Sequence, residues 1–401
     1  MEQLIDMPAE DWAVLETVER FAREVLRPAG RALDALADPA QVIEPGSVLW
    51  DVFTEYRALG VDSAELGASG MPPAREARLR AMIGELLGWG DAGLAMSLEV
   101  SSFPRILARL SGRPTLIERF DRPEAIGCWA VTEPDQGTDM FLHGSDPLRK
   151  PAHPSCVAVL DGEDWVISGQ KSAWVSNGSI ATAAALFCQV DRGQGPIGVG
   201  GFLVPLDPPD VSRDKPVDKL GQRALNQGEL FFDDLRVPLD HLVLPPDEKS
   251  FGGDFALSFA NSTMGSTFTG VARAAYEAAL DYAQERIQGG GPIIRHQNVQ
   301  GKLFSMFRAV QASEALSRDV VIRNTVAGHS LPRSIASKVT ATQTAFDVAS
   351  EALGIFGANG LNRAYPIEKI LRDARASMIE DGSNDVLGLL AVQRIVARTP
   401  T

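Results

Sequence analysis

The chain is poor in the residues that staple a fold or bind metals. Its 401 residues include three cysteines, Cys128, Cys156 and Cys188. They show no CxxC spacing and cannot all pair, so no disulfide framework is expected, which fits a reducing cytoplasm. The five histidines are His143, His153, His241, His296 and His329. None has a second histidine at helical ligand spacing, and no metal site is expected. No run of about 18 apolar residues occurs, so no membrane span is expected. Basic charge is also scarce, with 38 Lys and Arg against 52 Asp and Glu, a net charge of -14. That excludes a general nucleic-acid binder, which needs a basic surface, but not a local basic pocket for one phosphorylated ligand. The opening stretch, MEQLIDMPAEDW, is acidic and reads as no signal peptide; a cytoplasmic location is expected.

What is present is an ordinary globular composition, in a chain too long for one small core. Three regions follow in order. Residues 1–118 read as helical. Pro8 precedes Glu10 and Asp11, and Leu15, Val18, Phe21, Ala22 and Val25 recur at helical spacing up to a stop at Pro28. Residues 75–90 and 91–112 read as two more helices, and 61–74 as a loop. Residues 119–242 change to strand patterning. SCVAVLDGEDWVISGQKSAWVSNG, AALFCQV, VGGFLVP and GELFFDDLRVP carry it, after a further strand at GCWAV. Residues 243–401 return to helix, with long segments at 255–287, 297–326, 331–355 and 384–397. Glycine-rich breaks interrupt them at QGGGP (288–292) and GIFGANG (354–360). The class is α+β: an N-terminal helical domain, a central β domain and a C-terminal domain like a four-helix bundle.

AVTEPDQGTDM, residues 130–140, gathers Thr132, Gln136 and Thr138 around Gly137. Hydroxyls and free backbone N–H groups suit the edge of a heterocycle; a polar turn is the plainer reading. QGGGP lacks the Lys and Ser or Thr of a phosphate loop and reads as a helix–helix turn. Arg372, Asp373 and Arg375 read as a structural ion-pair cluster, and Phe304 with Phe307 as core. MIEDGSND, residues 378–385, sets Glu380 beside Asp381. Adjacent side chains diverge on any regular backbone, so the two acids are not expected to act as a pair.

Five stretches, taken in order, make the chain recognisable. TEPDQGTD resembles the TEPxxGSD signature of the flavin-dependent acyl-CoA dehydrogenase family. GQKSAWVSNG (169–178) resembles its GxKxWITN stretch, with one extra residue between Lys171 and Trp174. KLGQRALNQGELFFDDLRVP (219–238) resembles LGxRxSxTxxxxFxDVxVP. Arg286, His296 and Gln297 match an Arg and a His-Gln pair. ANGLNRAYPIEKILRDARASMIEDGS (358–383) matches GNGFxxEYPxEKLxRDAKxxxIYEGT without a gap. The resemblance spans essentially the whole chain.

The resemblance implies a role for each matching position. Trp129, Val131, Thr132 and Thr138 would line FAD and the thioester end of the substrate. Trp174 and Ser176 would lie beside the isoalloxazine. Arg286, Gln288, Gln297, Gly354, Gly357 and Ala358 would approach the FAD of a neighbouring subunit, with Arg286 as a charged fork on its pyrophosphate. Ser383 and Asp385 would lie near the cofactor. Thr138, Asn261, Glu380 and Gly382 would face the substrate. A homo-oligomer, dimer or tetramer, is implied, with an electron-transfer flavoprotein or similar acceptor. The implied reaction takes the α-proton of an acyl-CoA or acyl-carrier thioester with an acid and sends the β-hydride to flavin N5.

The family's base is a glutamate, and Asp381 stands at its position, with Glu380 at the place of a tyrosine. An aspartate has an ordinary pKa of about 3.9, which burial can raise. It is shorter by about 1.3 Å. Family members acting on ring-type acyl groups, and the related nitroalkane oxidases, also use aspartate. Asp381 has a plainer reading as the N-cap of a helix starting near Asn384. Some members carry the acid on the first helix of the third region; SFANSTM (258–264) offers Ala260 and Asn261 there, and no carboxylate. Asn261 replaces a usual arginine, Gly354 a glutamine, and QGG at 288–290 a Thr-Phe-Gly. Two alternatives stand beside the dehydrogenase reading. One is a same-fold oxidase of a nitroalkane or other small carbon acid. The other is a non-catalytic subunit that completes a partner's site in a hetero-oligomer.

Overall fold

The structure is a computed structural model that describes residues 7–142, 155–207, 209–246 and 253–397. His143 and His153 lie outside the described residues. Helices come first: α1 (Ala9–Phe21), α2 (Arg27–Asp34), α3 (Val48–Leu59), α4 (Ser63–Ala68), α5 (Pro73–Gly90), α6 (Ala92–Ser101), α7 (Phe103–Ser111) and α8 (Pro114–Phe120). The strands are β1 (Gly127–Ala130), β2 (Val157–Asp161), β3 (Asp164–Ser176), β4 (Ala183–Asp191), β5 (Pro196–Pro205), β6 (Val211–Arg213), β7 (Gln227–Pro238) and β8 (Leu242–Leu244). Helices α9 (Gly253–Glu285), α10 (Gln297–Ala327), α11 (Leu331–Phe356), α12 (Ile367–Ser377) and α13 (Asn384–Ala397) follow. The α+β order of helices, strands and helices is the one expected.

Several local expectations are corrected. Pro28 does not stop the first helix. A π-helical turn at Ala22–Leu26 widens the backbone ahead of it, and Pro28 sits in the first turn of α2, where its missing N–H costs little. The stretch 61–74 holds α4, because the Asp62 carboxylate accepts from the N–H groups of Ala64 and Glu65. The helix expected over 91–112 breaks at Ser102, with Pro104 opening α7. QGGGP forms a tight hairpin, Ile287–Gln288 against Gly291–Pro292, turned by Gly289 and Gly290 at φ of 65° and 88°. Phe304 and Phe307 are 66% and 44% exposed rather than core. Leu303, Met306 and Val310 form a parallel stripe on α10, and that stripe is the buried one. Spacing alone cannot tell two apolar stripes apart.

The sheet runs β6-β7-β3-β2-β4-β5-β8. β1 and β2 share one edge of β4, both parallel to it: Gly127 faces Ala183, and Val157 faces Gln189. β4 is buried along nearly its whole length, as a central strand should be. The chain leaves β1 at Val131 and enters the site.

Helix α9 crosses α5 at very close range. A Cβ on Gly88 would lie 1.9 Å from the Thr267 carbonyl oxygen, and one on Gly270 would lie 1.9 Å from that of Glu85. The two glycines are reciprocal, and backbone is the neighbour in both cases. Gly270→Ala is therefore expected to lower stability by about 1–3 kcal/mol, the usual effect of overpacking. A denaturant melt reads it as a lower midpoint at unchanged slope.

Candidate active site

A cavity of about 510 Å³ opens between the β domain and the flanking helices. Met96, Val100, Leu225 and Leu257 give it apolar walls, and Thr132, Thr138, Ser176 and Gln227 give it a polar edge. Trp129, Val131 and Trp174 complete that side. Opposite lie Arg375, Glu380, Asp381 and Gly382, from the end of α12 and the turn after it.

Each wall is held from behind. Lys171 is fully buried, and its ammonium donates to the Val131 carbonyl at 3.0 Å and to Glu133 at 2.6 Å. Glu133 also accepts from the backbone N–H and hydroxyl of Ser155. This pair pins the segment that carries Val131 and Thr132. Trp129 packs against Phe103 and Phe187, with ring centroids 4.9 Å and 5.1 Å away. Between Lys171 and Val175, β3 advances four residues while β7 advances two, from Leu230 to Gly228. The extra residue noted in GQKSAWVSNG falls in this bulge. Trp174 sits inside it and is 55% exposed at the cavity. The Ser176 hydroxyl accepts from the Gln227 amide at 3.2 Å.

Glu380 and Asp381 both line the cavity. The backbone there is not regular. Asp381 has φ of 46° and Gly382 φ of 100°. A left-handed non-glycine residue costs about 1–3 kcal/mol and persists only where its surroundings enforce it. They do so here. The Asn261 amide donates to the Asp381 carbonyl at 3.3 Å, Lys338 to the Gly382 carbonyl at 2.7 Å, and the Ser383 N–H to Thr138 Oγ1 at 2.9 Å. The Asp381 carboxylate accepts no hydrogen bond among the described residues, so it does not cap α13.

Burial pushes the Asp381 carboxyl above the usual carboxylate range, and the Lys338 charge opposes that rise. Burial also pushes Glu380 up to about 7, against the pull of Lys219 and Gln222; the charge of Asp381 adds to the rise. The Gln222 amide donates to Glu380 at 2.7 Å. Lys219 and Lys338 are each lowered by burial to about 8, held from falling further by nearby carboxylates. Asp381 is thus a carboxyl at the cavity wall, raised by burial and free of hydrogen bonds among the described residues.

The remaining positions fall in two groups. Arg286, Gln288, Gln297, Gly354, Gly357 and Ala358 do not line the cavity. They lie at the ends of α9 and α11 and the start of α10, exposed. Tyr282, stacked on Phe356 at 4.1 Å, ties α9 to α11 there. Asn261 stands behind the turn, fully buried, rather than in the cavity, and Asp385 is exposed at the start of α13. Arg372 and Asp373 are in ion-pair networks as expected, but Arg375 instead faces the cavity. Lys219, Gln222 and Lys338 were not anticipated. One signal was available. On α11, Ser334, Ile335, Lys338, Ala341, Thr342 and Ala345 follow the buried helical period, and a lysine in that series is out of place.

Residues 128–235 match the sequence model of the acyl-CoA dehydrogenase middle domain, and 256–396 that of the C-terminal domain. The chain is 27% identical to the mitochondrial short-chain specific acyl-CoA dehydrogenase of Rattus norvegicus, over 97% of this chain and 90% of that protein. It is also 27% identical to the cyclohexane-1-carbonyl-CoA dehydrogenase of Geobacter metallireducens, over 96% of each. The fold superposes on butyryl-CoA dehydrogenase from Megasphaera elsdenii with a TM-score of 0.84, at 22% identity, covering 99% and 100% of the two chains. With these matches over a cavity of this make-up, the chain belongs to the acyl-CoA dehydrogenase family, a family of oxidoreductases.

Proposed function

We propose that this chain dehydrogenates an acyl thioester between its α and β carbons, with Asp381 as the base that takes the α-proton. The observation that carries the reading is the Asp381 carboxylate. Asp381 lines the cavity, its carboxylate accepts no hydrogen bond among the described residues, and burial raises it above the usual carboxylate range. Met96, Val100 and Leu257 would receive the acyl group. The cavity's size and its apolar walls leave room for a compact acyl chain. A ring-bearing acyl group is consistent with the aspartate and with the likeness to the ring-acyl enzyme above.

The residues present fit FAD. A half-exposed tryptophan offers a flat face, and hydroxyl and amide groups at Thr132, Thr138, Ser176 and Gln227 offer partners to a heterocycle's edge. When bound, FAD supplies the two-electron acceptor for the β-hydride. The chain's own residues do the rest. Trp129 and Trp174 orient and exclude water, and Asp381 receives the proton. Glu380, partly neutral near pH 7, adds less repulsion to the developing charge than a fully ionised neighbour would. The exposed group of Arg286, Gln288, Gln297, Gly354, Gly357 and Ala358 would reach the cofactor of a second copy in a homo-oligomer. Electrons would leave to an electron-transfer flavoprotein or a similar acceptor.

Anaerobic titration with cyclic, branched and straight acyl-CoAs tests the reading. One class is expected to bleach the flavin absorbance, and Asp381→Asn to slow that bleaching at least about a hundredfold while retaining FAD. Bound FAD that no thioester bleaches would overturn it and favour an oxidase, which releases hydrogen peroxide. A chain that binds no FAD would favour the non-catalytic subunit. The base must be ionised to act, so the rate is expected to be full at high pH. It should fall as pH drops through a value above the ordinary aspartate range. Arg286→Ala is expected to lose FAD on gel filtration while the cavity residues stay intact, as an exposed cofactor contact should.

A further inference from the structure

The geometry assigns Lys338 as a positioning residue for the base: its buried ammonium locks the turn that holds Asp381 against the cavity. This rests on the dehydrogenase reading, with Asp381 as the proton acceptor. Lys338 lies on α11 with no exposed surface. Its ammonium donates to the Gly382 carbonyl at 2.7 Å and to Asn384 Oδ1 at 2.8 Å. Asn384 is fixed in turn by its own amide donating to Thr342 Oγ1 at 3.1 Å. Two acceptors on either side of Ser383 are thus tied to one side chain. Asp381 and Gly382, at the first of these acceptors, carry the left-handed backbone of the cavity wall.

The charge itself is the informative feature. Both acceptors of Lys338 are neutral, and it forms no ion pair among the described residues. A neutral donor would hold those acceptors without the cost of burying a charge. A buried ammonium is worth that cost where its field acts on a group further off. Asp381 is such a group, since Lys338 is the charge that opposes its rise on burial. The other charges around Asp381 are Glu380 on the same turn, Lys219 ahead of β7 and Arg375 on α12. Glu380 is engaged by Gln222, and Lys219 donates to Gln227. Asn261, from α9, is neutral and touches only the Asp381 backbone. Lys338 is the cation that both shapes the turn and favours the ionised base.

The test uses FAD-loaded wild type, Lys338→Met and Asn384→Asp. Each is titrated by infrared difference against its own Asp381→Asn counterpart, which isolates the Asp381 carboxyl band. The acid limb of anaerobic flavin reduction is recorded alongside. Lys338→Met is expected to move both titrations up by about one pH unit or more. A role confined to folding would lower the melting temperature without moving them. Asn384→Asp keeps the lysine and its acceptor but neutralises its charge, so the same upward shift is expected. It decides the matter if Lys338→Met does not fold. Titrations that stay at the wild-type position in a folded, FAD-bound variant overturn the assignment. The two claims fail separately. If Asp381→Asn reduces flavin at the wild-type rate, the base reading falls, and the infrared titration still judges Lys338.

Discussion

A line of buried charge joins all three parts of the molecule and ends at the cavity. Asp91 caps α6 by accepting from the Leu94 N–H, and it also accepts from Lys369. Lys369 bridges to Asp373 one turn along α12. Asp373 accepts from the backbone N–H of Gln222, ahead of β7, and the Gln222 amide reaches Glu380. Burial works against the Lys369 charge, but the two carboxylates beside it hold it protonated beyond its ordinary range. Removing Lys369 would leave the buried carboxylates of Asp91 and Asp373 without their cation, which costs about 3–5 kcal/mol. The N-terminal helices, the β domain and α12 therefore cannot shift independently. The position of the cavity wall at 375–382 follows from that constraint.

The same wall shows how an unfavourable backbone is kept. Asp381 in a left-handed conformation is disfavoured in isolation. Two donors and one acceptor from three different elements hold the residues around it: Asn261 from α9 and Lys338 from α11 donate to the turn, and Thr138 after β1 accepts from the Ser383 N–H. The shortness of Asn261 has a physical sense here. A short amide fits behind the turn and donates to it, where a longer cation would have to displace the turn or reach past it. The backbone that carries the Asp381 carboxyl is the part under control.

What the sequence made legible was local. The region order, the main strands and the cavity positions from Trp129 to Ser176 and at 380–382 each sit within a short, patterned stretch. A strand period or a glycine-spaced motif survives in one dimension. What it hid was long-range or two-sided. Gln222 and Glu380 are 158 residues apart, and Lys338 and Gly382 are 44 apart. No spacing rule connects them. Phe304 and Phe307 failed for a different reason: α10 carries two apolar stripes, and only packing against its neighbours selects the buried one. The side-chain directions of the adjacent acids were hidden because period rules assume regular backbone, and the turn at Asp381 is where the regularity ends.

The charges at the cavity are also matched in a way that bears on proton uptake. Glu380 lies near 7, and Lys219 and Lys338 near 8. Protonating Asp381 removes a negative charge that both stabilises the Lys338 ammonium and raises Glu380. Each responds in the direction that restores the lost charge, the ammonium by releasing its proton more readily and the carboxyl by ionising more readily. The net charge of these groups therefore changes by less than one unit when Asp381 accepts a proton. In a low-dielectric cavity, where an uncompensated charge is expensive, that smooths the cost of the proton's arrival. A phenol in the place of Glu380, with a pKa of about 10, would stay protonated near neutral pH and could not answer in this way.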